Sequence, residues 1–102
     1  MSQEINEMSP EELASKLESN KYEIIDVRED EEVANGMIPG AKHIALNTIP
    51  ERIDELPKDK EYVMVCRSGR RSYNASLYLA EQGYKVNNIK GGMLDWKGEV
   101  VF

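Results

Sequence analysis

Much of the usual chemical repertoire is thin or missing in this sequence. Its 102 residues include one cysteine (Cys66), one histidine (His43), one tryptophan and one phenylalanine. A lone cysteine excludes an internal disulfide and a multi-cysteine zinc site, which leaves a buried filler or a reactive thiol. No apolar run approaches the roughly 18 to 20 residues of a membrane span, so no membrane partner is expected. There is no internal repeat and no low-complexity linker. The start, Met1 to Glu7, has neither a basic segment nor an apolar one, which argues against a secretory signal and makes the cytoplasm the default compartment.

What is present is ordinary for a soluble globular protein, with 40% apolar and 31% charged residues. The length suits one domain, residues 1–102, because a second core would be hard to stabilise at this size. The net charge of -6 is unevenly spread. Residues 1–65 carry seven Lys/Arg against sixteen Asp/Glu, whereas residues 66–102 carry six against three. The acidic balance makes nucleic acid a poor partner, since attraction to phosphates needs a broad basic face. The positive charge gathers just after Cys66, in Arg67, Arg70 and Arg71, where a small basic spot can steer a small anion.

Ser9-Pro10-Glu11-Glu12 predicts a helix start: Ser9 accepts from free N–H groups, Pro10 needs no donor, and Glu12 closes a capping box. Leu13, Ala14 and Leu17 form its expected buried stripe. Tyr22 to Val27 reads as a buried strand whose polar residues emerge at its carboxyl end. A short acidic helical turn over Asp30 to Asn35 follows, then a turn at Gly36 to Ala41 and a brief strand near His43 and Ile44. Thr48 with Glu51 predicts a second capping box, for a helix over Ile49 to Leu56. Tyr62 to Val65 is a strand running straight into Cys66. Ser72 reads as the N-cap of a helix over Tyr73 to Gln82, with Ala75, Tyr78 and Leu79 at helical spacing and Gly83 as the stop. Val86 to Ile89 is a further strand, and Gly91-Gly92 leads into a short helical turn through Trp96. Strands alternating with helices at these lengths define an α/β domain with a mainly parallel sheet covered on both faces.

A strand, a tight loop and a helix start put Cys66 at the carboxyl edge of the sheet, where open α/β folds bind ligands. The loop Cys66-Arg67-Ser68-Gly69-Arg70-Arg71-Ser72 can curl its backbone N–H groups around one point, and the helix adds its own unsatisfied donors. A free cysteine has a pKa of about 8.5, so half-ionisation at neutral pH requires about 2 kcal/mol. Hydrogen bonds to a charged acceptor contribute about 1.5 to 3 kcal/mol each, so one or two loop N–H groups suffice without a neighbouring base. His43 is accordingly read as a loop histidine rather than a general base. Asp26 and Arg28 are read as a structural salt link, and Trp96 and the five tyrosines as packing. Cys66 is the candidate nucleophile. Arg67, Ser68, Gly69, Arg70, Arg71 and Ser72 are the candidate substrate-binding residues. The three arginines suit a dianion with sulfonate-like or phosphate-like oxygens, so thiosulfate, polysulfide and phosphate esters all qualify at this point.

Four segments in order resemble the signatures of the rhodanese family across nearly the whole chain: Ile25-Asp26-Val27-Arg28-Glu29, Gly36-Met37-Ile38-Pro39-Gly40-Ala41, the loop Cys66 to Ser72, and Gly91-Gly92-Met93-Leu94-Asp95-Trp96. The resemblance implies a rhodanese-like α/β fold with a central five-stranded, mainly parallel sheet and helices on both faces. It also implies a thiosulfate sulfurtransferase. Cys66 would take sulfane sulfur from a small anionic donor such as thiosulfate, sulfite would leave, and the Cys66 persulfide would pass its outer sulfur on. The implied acceptor is cyanide or a thiol, including a thiol on a partner protein. No metal and no organic cofactor is implied. One departure is Met37, where family members often carry His, at a position that reads as structural.

Two other readings stay open. The same architecture supports cysteine-dependent phosphatases and arsenate reductases, but those enzymes resemble one another in having Cys, five residues and then Arg. Here the five intervening residues lead to Ser72. The second alternative is a persulfide relay or binding module for a partner protein that turns thiosulfate over poorly, since fold resemblance alone does not establish substrate.

Overall fold

The computed structural model describes residues 5–102, so most of the acidic start that argued against a secretory signal lies outside the described residues. Five strands, β1 (Asn6–Met8), β2 (Tyr22–Asp26), β3 (Lys42–His43), β4 (Glu61–Val65) and β5 (Lys85–Ile89), form one sheet in the order β1-β5-β4-β2-β3. Every strand pairing in it is parallel. Helices α1 (Pro10–Lys16), α2 (Asp30–Val33), α3 (Ile49–Arg52) and α4 (Arg70–Glu81) connect the strands, with 3₁₀ turns after α1 and around α3. Among the described residues no helix is long and apolar enough to cross a membrane.

Side chains of β4 alternate between the two faces of the sheet, as a period of two requires. Tyr62, Met64 and the following Cys66 join Ile25, Val27, Ile49, Ala75 and Leu79 in the core beneath α3 and α4. Val63 and Val65 join Met8, Leu13, Ile24, Ile89 and Trp96 in a second core on the α1 face. Burial on both faces is why β2 and β4 read as continuous apolar runs rather than alternating ones. The same alternation puts Cys66, one residue past the end of β4, on the face that α4 covers.

The four expected strands are present, and a fifth, β1, was not foreseen. Two of its three residues are exposed and polar, so it carries no strand pattern of its own. It is held by pairing with β5, in the register Asn6↔Asn87, and by Asn6 Nδ2 donating to Asn87 Oδ1 at 2.6 Å.

Several local expectations change. Ser9 Oγ does accept from the Glu12 N–H at 3.0 Å, but the Glu12 carboxylate turns to Lys16 at 3.1 Å instead of closing a box. Leu13 is buried and Leu17 half-buried, whereas Ala14 faces solvent. The reciprocal capping box forms at α2 instead, between Glu29 and Glu32. Thr48 caps nothing, because its hydroxyl donates to Ala45 O at 2.8 Å, and the expected helix over 49–56 splits into α3 and a 3₁₀ turn, Ile53–Glu55. Ser72 is not the N-cap of α4. That position falls to Gly69, whose φ of +100° suits a residue without Cβ, and α4 begins at Arg70. The Ser72 hydroxyl is drawn inward to Cys66 and Asn88, so it is not available to cap.

At the carboxyl end of β2 the expected salt link is present and buried. Arg28 donates to Asp26 through Nε at 2.9 Å and Nη2 at 2.8 Å, and the Arg28 backbone N–H adds a third bond at 3.0 Å. The remaining guanidinium donors bind Gly36 O at 2.8 Å and Glu32 O at 3.3 Å, so one side chain ties β2, α2 and the following turn together. Removing one partner strands the other charge in the interior. Arg28→Ala is therefore expected to cost about 3 to 5 kcal/mol, read as a shift in the midpoint of urea unfolding; a loss under about 1 kcal/mol would show that the pair is dispensable.

Candidate active site

Cys66 leaves β4 into a loop that must reverse within three residues before α4 begins. Two glycines make this possible. Gly69 takes up the left-handed conformation at the helix start, and Gly92 lies against the loop from the other side. A Cβ on Gly92 would sit 2.4 Å from Cys66 O and 2.6 Å from Arg67 O, closer than any side chain can come. That bare approach lets the Met93 N–H donate to Cys66 O at 2.8 Å and the Leu94 N–H to Arg67 O at 3.0 Å. The Gly91-Gly92 turn is thus a clamp on the loop.

The loop closes on sulfur. Cys66 Sγ accepts from the Gly69 N–H at 3.1 Å and lies 3.3 Å from Ser72 Oγ, while the residue is fully buried. Burial pushes the thiol pKa up, but hydrogen bonding by the Ser72 hydroxyl and by the backbone N–H groups of Ser72, Gly69 and Ser68 outweighs it and holds the thiol below its ordinary value. Because α4 starts inside the loop, the Ser72 N–H of its first turn is directed at the sulfur, an arrangement that favours negative charge. His43 takes no part: its Nε2 lies 2.6 Å from Arg28 O, which can only accept, so the imidazole donates there.

The three arginines do not converge. Arg71 forms a two-pronged pair with Glu32 of α2, at 2.8 and 2.7 Å, and Glu32 Oε1 also accepts from the Glu29 N–H at 2.9 Å. The hydrogen bond from Arg71 holds the Glu32 carboxyl at about 2, well below the usual carboxylate range. Arg67 stands on one flank of the loop, in a cleft of about 260 Å³ with Arg28, Glu32, Asn35, Met93 and Leu94. Arg70 stands on the other flank, in a cleft of about 360 Å³ shared with Glu7, Tyr73, Asn74 and Lys90. Of the six residues expected around Cys66, the structure brings Ser68, Gly69 and Ser72 to the sulfur and spreads Arg67, Arg70 and Arg71 around the rim.

Asn88 was not foreseen. It is buried on β5, its Nδ2 donates to Gly69 O and to Glu7 Oε2, each at 3.0 Å, and its Oδ1 faces Ser72 Oγ. The available signal was the polar pair Asn87-Asn88 set between Val86 and Ile89 in a strand. Glu32 was missed as well, although it stands three residues after Glu29, the spacing of a capping box.

A parallel sheet carrying a buried cysteine in an N–H cradle at its carboxyl edge defines an α/β domain that can stabilise negative charge at that cysteine. The profile of the rhodanese-like domain matches residues 9–99. The chain is 56% identical over 97 residues to "Putative sulfurtransferase YtwF" of Bacillus subtilis, covering 94% of each. It is 31% identical over 98 residues to "Thiosulfate sulfurtransferase GlpE" of Pseudomonas aeruginosa, covering 95% of this chain and 88% of that one. The crystal structure of a rhodanese-like domain protein from Staphylococcus aureus is similar with a TM-score of 0.90 and 39% identity, covering 96% of this chain and 98% of the other. The chain belongs to the rhodanese-like family and is sulfurtransferase-like, and the expected five-stranded α/β fold is the one observed.

The Glu32 to Arg71 pair predicts an acid limb of stability. The folded carboxyl stays charged down to about 2, whereas an unperturbed one protonates near 4.5. The stabilisation is therefore complete above the unfolded value and is lost as pH falls through the folded one. Urea midpoints measured across that window are expected to fall more steeply for the parent than for Glu32→Gln; parallel curves would show that the pair contributes nothing.

Proposed function

We propose that this protein, as a single domain over residues 1–102, is a thiosulfate-type sulfurtransferase that carries sulfane sulfur on Cys66. The observation that carries the reading is the cradle: one sulfur, buried, with donors from Gly69 and Ser72 aimed at it and, among the described residues, no base bonded to it. The Cys66 thiolate attacks the outer sulfur of thiosulfate. The new S–S bond forms as the donor's own S–S bond breaks, and sulfite leaves with the electron pair. The persulfide's outer sulfur carries the negative charge and is held by the loop N–H groups. A cyanide or thiolate acceptor then attacks that outer sulfur, and Cys66 leaves as thiolate. No step requires proton transfer from a side chain.

The depth of the thiol favours a slender reacting end, a single terminal sulfur, over a tetrahedral phosphoryl group. Arg71 is also committed to Glu32, which argues against a phosphatase that would need it on an oxyanion. The thiosulfate donor is supported by the relative named for that activity and by Arg67 and Arg70 at the rim, neither of which forms an ion pair among the described residues. A protein-borne thiol as acceptor is favoured by Leu94, which is 61% exposed in the cleft that also holds Arg67.

Incubation with thiosulfate, removal of small molecules and intact-mass measurement is expected to show a gain of one sulfur atom, reversed by cyanide or a thiol and absent in Cys66→Ser. A folded Cys66→Ser protein that still turns thiosulfate over would remove the mechanism. Replacing Arg67 and Arg70 by Gln together is expected to lower kcat/KM for thiosulfate about tenfold at low salt and to flatten its salt dependence. An unchanged kcat/KM would mean that neither cation meets the donor.

A further inference from the structure

Ser72 has one hydroxyl proton and two groups that want it. Its Oγ lies 3.3 Å from Cys66 Sγ and 2.5 Å from Asn88 Oδ1. The orientation of the Asn88 amide is set by its other end, which faces Gly69 O and the Glu7 carboxylate, each at 3.0 Å. Both of those are acceptors, so the NH₂ must point at them and the carbonyl at Ser72. A hydroxyl can donate to the carbonyl or to the sulfur, not to both.

We propose that Asn88 is a positioning residue that competes with Cys66 for the Ser72 proton and so sets how tightly the cradle holds the bare thiolate. In the thiol state S–H donates to Ser72 Oγ and Ser72 donates to Asn88, so every member of the chain is satisfied. On ionisation the S–H proton goes to solvent and the Ser72 O–H turns to the sulfur, leaving the buried Asn88 carbonyl without its partner. In the persulfide Sγ is uncharged, the negative charge sits on the outer sulfur, and the Ser72 proton returns to Asn88. The network thus disfavours the bare thiolate relative to the states before and after it. A thiolate held less tightly is the stronger nucleophile, since nucleophilicity rises with thiol pKa. The backbone donors of Ser68, Gly69 and Ser72 favour the ionised thiol independently of the Ser72 proton and keep that form accessible.

Among the described residues, the charged groups around this chain are Arg71, paired with Glu32 of α2, Glu7 of β1 beyond Asn88, Lys90 in the cleft that Glu7 shares with Arg70, and Arg67 and Arg70 at the loop rim. The core cluster that includes Cys66 takes Ile25 from β2, Met64 from β4 and Ala75 from α4, all uncharged. The proposal rests on the sulfur-transfer reading only for its catalytic consequence; the competition itself is a property of the resting protein.

The test is an NMR titration of the Cys66 β-carbon in the parent, Ser72→Ala, Asn88→Leu and the double variant. Ser72→Ala is expected to raise the Cys66 pKa in both backgrounds, and by about half a pH unit to one more where Asn88 is Leu, because there the hydroxyl had been wholly on the sulfur. Equal or smaller increments in the Asn88→Leu background would overturn the proposal. A second readout needs no substitution at position 88: in the parent, the side-chain carbonyl carbon of Asn88 is expected to titrate with the Cys66 midpoint, and in Ser72→Ala to lose that response. A parent Asn88 carbonyl that ignores the ionisation of Cys66 would overturn it too. Neither readout uses a sulfur donor, so an inert protein in the thiosulfate assay would leave this proposal standing, and its failure would leave the persulfide reading standing.

Discussion

The carboxyl edge of the sheet takes its shape from two backbone hydrogen bonds, Met93 N–H to Cys66 O and Leu94 N–H to Arg67 O. A planar peptide points its C=O and its N–H in opposite directions. Pinning the Arg67 carbonyl outward against the glycine turn therefore turns the Ser68 N–H inward, toward sulfur. The anion site is made by the backbone, and the side chains that matter most to it, at Gly69 and Gly92, are the ones that are absent. A methyl group at residue 92 would push the carbonyls away and unaim the donors behind them.

Charge at this edge is sorted into two internal pairs and a remainder. Asp26 with Arg28 and Glu32 with Arg71 cancel, and both pairs are structural: the first ties β2 to α2 and the turn after it, the second ties α2 to α4. What remains at the mouth is Arg67 on one flank and, on the other, Arg70 with Lys90 and Glu7 beside it. An excess of positive charge after Cys66 was visible along the chain, but three arginines in a row of five residues do not act alike. The helical rotation between residues 70 and 71 sends one side chain to the rim and the other to α2.

The readable parts of the molecule were those in which local chemistry and global fold agree. Tyr62 to Val65 could only be a buried strand, and Cys66 had to follow it at the sheet's edge; the loop composition then announced an anion cradle. The unreadable parts depend on partners far away in sequence. β1 has no apolar pattern because β5 supplies its reason to exist. Ser72 has every property of a helix cap and is diverted by Asn88, sixteen residues on. Thr48 is a local counterpart, its hydroxyl taken by the Ala45 carbonyl three residues back. A hydroxyl near a helix start is legible as a donor or acceptor, but its choice of partner is decided by tertiary packing.

β1 also deserves a dynamic reading. It is three residues long, lies at the margin of the sheet, and buries one side chain, Met8. Short marginal strands open at a small fraction of the free energy that unfolds the centre. Each such opening carries Glu7 away from Asn88, and the amide NH₂ is then held by Gly69 O alone. Breathing of the outermost strand is thereby transmitted, through one carboxamide, to the stiffness of the loop around the thiol. One marginal edge strand is in this way coupled to the order of the loop around Cys66.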